Sequence, residues 1–118
     1  MSTVMIVDDA QFMRMRLTKL LTKHGYEVIE AEDGEEAVQT YRSAQPDAVL
    51  MDITMPRKDG LTALTEIREI DPQAKVIMLT ALGQQTIVLQ AIQAGAKDFV
   101  VKPYNPERLM KTLQKTLR

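Results

Sequence analysis

Cysteine and tryptophan are both absent from these 118 residues, and histidine occurs once. Without cysteine there are no disulfides, thiol nucleophiles or zinc–thiolate sites. His24 has no histidine partner and precedes Gly25, where a helix is expected to stop, so it reads as a helix-end residue. Any metal must therefore be held by oxygen. No apolar run approaches the ~18 residues of a membrane span, and Met1-Ser2-Thr3 carries no basic leader, so a soluble cytoplasmic protein with no membrane partner is expected. Neither sign of charge dominates: 15 basic against 16 acidic residues leave a formal charge of −1, which does not favour a nucleic-acid partner. A glycine-rich phosphate loop is missing after the first apolar run, where Asp8-Asp9-Ala10-Gln11 stands instead.

What the chain does contain is regular alternation. Apolar residues make up 45%, enough for one core, and no linker, repeat or low-complexity tract interrupts them, so one domain over 1–118 is expected. Strand-like runs alternate with helix-like segments throughout. A helix fits Phe12 to His24, with Met13, Leu17, Leu20 and Leu21 at helical spacing. Asp33-Gly34-Glu35-Glu36 resembles a capping box opening a second, which turns Ala37, Val38 and Tyr41 inward. Leu61, Leu64 and Ile67 mark a third, ending before Pro72; Ile87, Val88, Ala91 and Ile92 mark a fourth, with Gly95 past its end. Asn105-Pro106 starts the last, along which Leu109, Leu113 and Leu117 recur. Tyr26-Glu27-Val28-Ile29-Glu30 is mixed and suits a sheet edge, whereas the other four strand runs are almost wholly apolar, as where helices cover both faces. The pattern predicts an α/β sandwich of about five parallel strands.

Those four apolar runs all end in polar chemistry: Val7-Asp8-Asp9, Met51-Asp52, Leu79-Thr80 and Val101-Lys102. The carboxyl ends of parallel strands share one edge, so these residues are expected to converge. Each is unremarkable alone, and an acidic pair before a helix is more often a cap than a ligand. Together, three carboxylates raise one another's pKa unless a cation sits among them. An oxygen-only ligand set with open positions favours Mg2+, which keeps water and accepts phosphate oxygens. Lys102 adds a positive charge and Thr80 a hydroxyl donor, a set suited to in-line phosphoryl transfer. In that chemistry Asp52 is the nucleophile, forming an aspartyl phosphate, and Asp8 and Asp9 hold the metal.

Asp8-Asp9, the stretch Met51-Asp52-Ile53-Thr54-Met55-Pro56 with Asp59-Gly60, Thr80-Ala81 and Lys102-Pro103 together resemble the receiver domain of two-component response regulators over the whole chain. Gln11-Phe12-Met13-Arg14, Gly83-Gln84-Gln85 and Ala94-Gly95-Ala96-Lys97-Asp98-Phe99 look most like its single-domain chemotaxis members. The resemblance implies a flavodoxin-like doubly wound sheet in the order 2-1-3-4-5, with helices on both faces. It implies phosphorylation of Asp52 by a histidine kinase or a small phosphodonor, and a Mg2+ shell of Asp8, Asp9, Asp52 and the backbone carbonyl of Thr54. Thr80 and Lys102 bind the phosphoryl group, and the Lys102–Pro103 peptide is cis. Phe99, which the strand pattern alone places in the core, falls on the switch-aromatic position and moves inward when Thr80 is drawn to the phosphoryl group. Thr54 and Leu82 flank the path of attacking water.

The function implied is a phosphorylation-switched messenger that catalyses only its own phosphorylation and dephosphorylation. Charge added at Asp52 shifts a surface of fourth helix, fifth strand and fifth helix, carrying Lys97, Lys111 and Lys115, that binds the flagellar motor switch or another effector. An auxiliary phosphatase and a monomeric state are part of the same expectation. A phosphorelay intermediate, or a regulator of another pathway, is the alternative. A phosphatase of the haloacid dehalogenase type shares the nucleophile, lysine and Mg2+, but needs a second aspartate where Thr54 stands. A receiver half of a transcription factor is disfavoured, because no helix-turn-helix or basic stripe is present.

Overall fold

The computed structural model describes residues 2–55 and 57–118; Pro56, part of the motif after Asp52, lies outside the described residues. The elements run β1 (Thr3–Val7), α1 (Gln11–Lys23), β2 (Glu27–Ala31), α2 (Gly34–Ala44), β3 (Ala48–Asp52), α3 (Gly60–Ile70), β4 (Val76–Thr80), α4 (Gln85–Gln93), β5 (Asp98–Val101) and α5 (Pro106–Leu117). All five strands are parallel, in the order β2-β1-β3-β4-β5. The mixed strand β2 is at an edge, as its composition predicts.

Local chemistry explains where the helices begin. Asn105 Oδ1 accepts from the N–H of Glu107 at 2.8 Å and of Arg108 at 3.3 Å, with Pro106 opening α5. Asp33 Oδ1 accepts from Glu36 N–H at 2.9 Å, but the Glu36 carboxylate takes the N–H of Glu32 at 3.1 Å, one residue before the reciprocal partner of a capping box. Asp59 caps α3 through Thr62 N–H at 2.8 Å.

Two apolar layers flank the sheet because successive side chains point to opposite faces. Val4, Ile6, Leu50, Ile77 and Leu79 pack on Leu17 and Leu21 of α1 and on Leu109 and Leu113 of α5. Met5, Val7, Val49, Met51 and Met78 pack on Val38 and Tyr41 of α2 and on Leu64 and Ile67 of α3. At ~1.5–3 kcal/mol for each large side chain fully buried, these layers supply most of the stabilisation that opposes chain entropy.

Coverage fails at β5, which corrects the expectation that this apolar run is enclosed on both faces. Val100 is buried toward α5, but Phe99 and Val101 on the other face are 42% and 38% exposed. The reason is local. Helix α4 has only nine residues and buries one of them, Ala91, leaving Leu89 and Ile92 in solvent. The placement of Phe99 in the core, read from strand pattern alone, is corrected with it.

The start of α3 presses on the end of β3. A Cβ at Gly60 would lie 2.2 Å from the Asp52 carbonyl oxygen and 2.8 Å from Ile53 Cα, both backbone atoms, and Gly60 N–H donates to Ile53 O at 2.7 Å. Gly60→Ala is therefore expected to destabilise the fold by about 2 kcal/mol, read as a lower urea midpoint at unchanged slope. An unaltered midpoint would mean that this junction has slack.

Candidate functional site

Parallel register brings the polar strand ends to one rim. Val7 pairs with Met51, Asp52 with Leu79 and Thr80 with Val101, so the residues at or just after those positions lie side by side. The rim crosses the point where the chain, having gone from β1 outward to β2, returns to the other side at β3. Such reversals open a crevice between adjacent loops.

In that crevice Asp8, Asp9 and Asp52 each present a carboxylate oxygen, all within 4.8 Å of one another. Lys102 Nζ lies 3.2 Å from Asp52 Oδ2 and 3.4 Å from Asp8 Oδ2. Asp8 is buried, Asp52 half-buried and Asp9 exposed, so the cluster is closed below and open to solvent above. Thr80 is buried at the end of β4, and its carbonyl oxygen accepts from Lys102 N–H at 2.6 Å. Thr54 N–H reaches toward Asp52 Oδ1 at 3.4 Å. The Lys102–Pro103 peptide is cis. The structure thus brings Asp8, Asp9, Asp52, Thr54, Thr80 and Lys102 together, and leaves Phe99 outside on the β5 face.

Burial pushes the Asp52 carboxyl above the ordinary carboxylate range; Lys102 opposes this and the Asp8 charge adds to it. An acid held this way retains solvent access while its charge is only partly compensated by protein. The all-oxygen donor set fits a hard divalent cation, which would complete that compensation.

Three sets of supporting contacts escape a reading of the sequence for reactive residues. Arg14 is buried under the site: its Nη1 donates to the Asp8 carbonyl oxygen at 2.7 Å, and its Nε pairs with Glu30 at 3.1 Å. A signal existed, since Arg14 lies three and seven residues before Leu17 and Leu21, on the buried stripe of α1. The β3–α3 loop is tied to the start of α2 by an ion pair between Arg57, whose φ is +64°, and buried Asp33. Lys58 O also accepts from Gly34 N–H at 3.0 Å. Finally, Gln84 reaches across the mouth: its Oε1 accepts from Ala81 N–H at 2.6 Å and its Nε2 donates to Thr54 Oγ1 at 3.0 Å. Its carboxamide is thus engaged at the mouth of the site. Leu82, by contrast, is 81% exposed.

The response regulator receiver domain model matches residues 4–114. This chain belongs to the response regulator receiver family. The receiver is 56% identical over 115 residues to chemotaxis protein CheY of Bacillus subtilis (strain 168), covering 97% of this chain and 96% of that protein. It is also 56% identical over 113 residues to CheY of Thermotoga maritima, covering 95% and 94%. A chain in the crystal structure of the CheX-CheY-BeF3-Mg2+ complex from Borrelia burgdorferi has a TM-score of 0.94 at 40% identity, covering 99% of this chain and 90% of that one. Receivers are phosphorylation-switched elements of two-component signalling and not metabolic enzymes.

Because burial and Asp8 raise the folded-state pKa of Asp52, its charged form opposes folding. Asp52→Asn should therefore stabilise the protein in a chelator at pH 7. The gain is full above the raised folded value and vanishes as pH falls through it to the unfolded carboxylate range, where wild type is itself neutral. Thermal unfolding of both proteins across pH tests this; a gap that widens on acidification would contradict it.

Proposed function

We propose that this receiver is a diffusible signalling switch whose phosphoacceptor is Asp52. The observation that carries the reading is Lys102 Nζ within 3.4 Å of both Asp8 and Asp52, at the edge of a three-carboxylate oxygen cluster open to solvent. An Asp52 oxygen attacks phosphorus in line; the P–N bond of a kinase phosphohistidine, or the P–O bond of an acyl phosphate, breaks and its electron pair leaves with imidazole or carboxylate. Lys102 exchanges its contact with the Asp52 carboxylate for a phosphoryl oxygen, and Thr80 donates its hydroxyl to another. Asp8, Asp9, Asp52 and the Thr54 carbonyl would hold Mg2+, which neutralises charge on the transferring group. Thr54 occupies the place where a dehalogenase-type phosphatase needs its second aspartate, so the chemistry stops at the acyl phosphate and its hydrolysis.

The added charge is read at the β5 edge. Thr80, Val88, Leu89, Ile92, Phe99 and Val101 line an apolar groove of about 340 Å³ between α4 and β5. Drawing Thr80 toward the phosphoryl group vacates space beside the strand, which Phe99 fills by turning inward. Phe99 lacks a hydroxyl and responds through burial alone. Lys97, Lys111 and Lys115 are exposed on or beside β5 and α5, and suit an effector segment of acidic character. The similarity to chemotaxis proteins supports the flagellar motor switch as that effector, with a histidine kinase as donor in the cytoplasm, an auxiliary phosphatase to reset the switch and the receiver acting as a monomer. No helix among the described residues is long and apolar enough to cross a membrane.

With Mg2+ and acetyl phosphate, wild type should gain one phosphoryl group by intact mass and Asp52→Ala none. Lys102→Ala should be slower by roughly 100-fold. Incorporation into Asp52→Ala would move the acceptor elsewhere. Phosphorylated wild type should capture a motor-switch peptide that the unmodified protein binds weakly, and Phe99→Ala should blunt the difference. Equal capture by both forms would remove the chemotaxis assignment and leave the switch.

A further inference from the structure

We infer that Gln84 is a latch on the unphosphorylated state, seated on a backbone donor that the phosphoryl group must take from it. The inference rests on Asp52 being the acceptor. Phosphorylation adds three anionic oxygens above Asp52, each able to accept from more than one partner, so Lys102, Thr80 and a divalent cation do not exhaust them. Ala81 N–H directly follows Thr80 at the same rim, and in the unmodified protein it is occupied by Gln84 Oε1 at 2.6 Å. The other end of the same carboxamide holds Thr54 Oγ1 at 3.0 Å, and the Thr54 N–H faces Asp52. One neutral side chain thereby staples the β3–α3 loop to the β4–α4 loop across the entry to the acid. Gln84 is also the residue on which α4 begins, and its carbonyl oxygen accepts from Val88 N–H at 3.0 Å.

A hydrogen bond to an anionic oxygen is stronger than one to a neutral carboxamide. The phosphoryl group therefore displaces Gln84 from Ala81, Gln84 loses its hold on Thr54, and the first turn of α4 is freed beside the groove that contains Val88 and Leu89. Gln84 thus opposes phosphorylation and restrains α4 until phosphorylation occurs. It is a positioning residue and touches no reacting atom.

Gln84→Ala and Gln84→Glu should shift the site in opposite directions. Fluoroberyllate, a stable mimic of the phosphoryl group, is titrated with saturating Mg2+ into wild type and both variants and followed by 19F NMR. Removing the competitor in Gln84→Ala should tighten binding about fivefold. Gln84→Glu keeps the acceptor but adds negative charge, and should weaken binding by at least as much. The Ala81 amide proton, measured without metal or fluoroberyllate, should move upfield in Gln84→Ala, and the two proteins should converge once fluoroberyllate is bound. Unchanged or weaker binding by Gln84→Ala overturns the latch, as does an Ala81 amide indifferent to the substitution. A wild type that binds no fluoroberyllate overturns the phosphorylation reading itself, whichever way the Ala81 amide moves.

Discussion

Lys102 holds two carboxylates that would otherwise repel each other, and the rest of the structure is organised so that it can. Its ammonium arrives from the end of β5, whereas Asp8 follows β1 and Asp52 ends β3, so the contact spans the sheet from one edge to beyond its middle. A single lysine cannot balance Asp8, Asp9 and Asp52 together. The residual negative charge makes the crevice receptive to a divalent cation, and the raised pKa of Asp52 records the cost of burial and of its acidic neighbour. A fully compensated site would be more stable and would have less affinity for a second cation.

Around this centre the fold divides into a rigid part and a yielding part. Every residue from Val4 to Val7 and from Val76 to Leu79 is completely buried, and Arg14 anchors the carbonyl of Asp8 from beneath. The loop after Asp52 is fastened to α2 through Asp33 and Arg57, and to Glu35 and Glu66 through Lys58. Among the described residues, the β4–α4 side shows no such fastening except Gln84. Its helix is short, Leu89 and Ile92 stand in solvent, and β5 leaves Phe99 and Val101 uncovered. Segments with few buried contacts have the lowest local opening free energies, so this side yields more easily than the α2 side. The same incomplete coverage leaves Leu89, Ile92, Phe99 and Val101 as an exposed apolar surface.

Much of this was legible in the residues, for reasons that differ by element. Asn105-Pro106 announced α5 because a capping side chain followed by proline acts through local geometry alone. The mixed composition of β2 marked an edge, since a strand open on one side tolerates charge. The apolar run of β5 misled because pattern reports what a strand could bury, whereas coverage depends on how far a neighbouring helix extends. The capping residue Asp33 was visible, but its pairing with Arg57 was not, because it joins two loops 24 residues apart.

By itself the sequence determined which reactive groups are present and their periodicity: carboxylates, one lysine and one hydroxyl at strand ends, and an alternation that favours a parallel α/β sheet. These follow from residue type and from contacts within a few positions. Only the tertiary structure decided that Arg14 braces Asp8, that Gln84 closes the mouth from Ala81 to Thr54, and that Phe99 stands in solvent. Each depends on the distance between elements that are remote along the chain, and that distance is set by core packing.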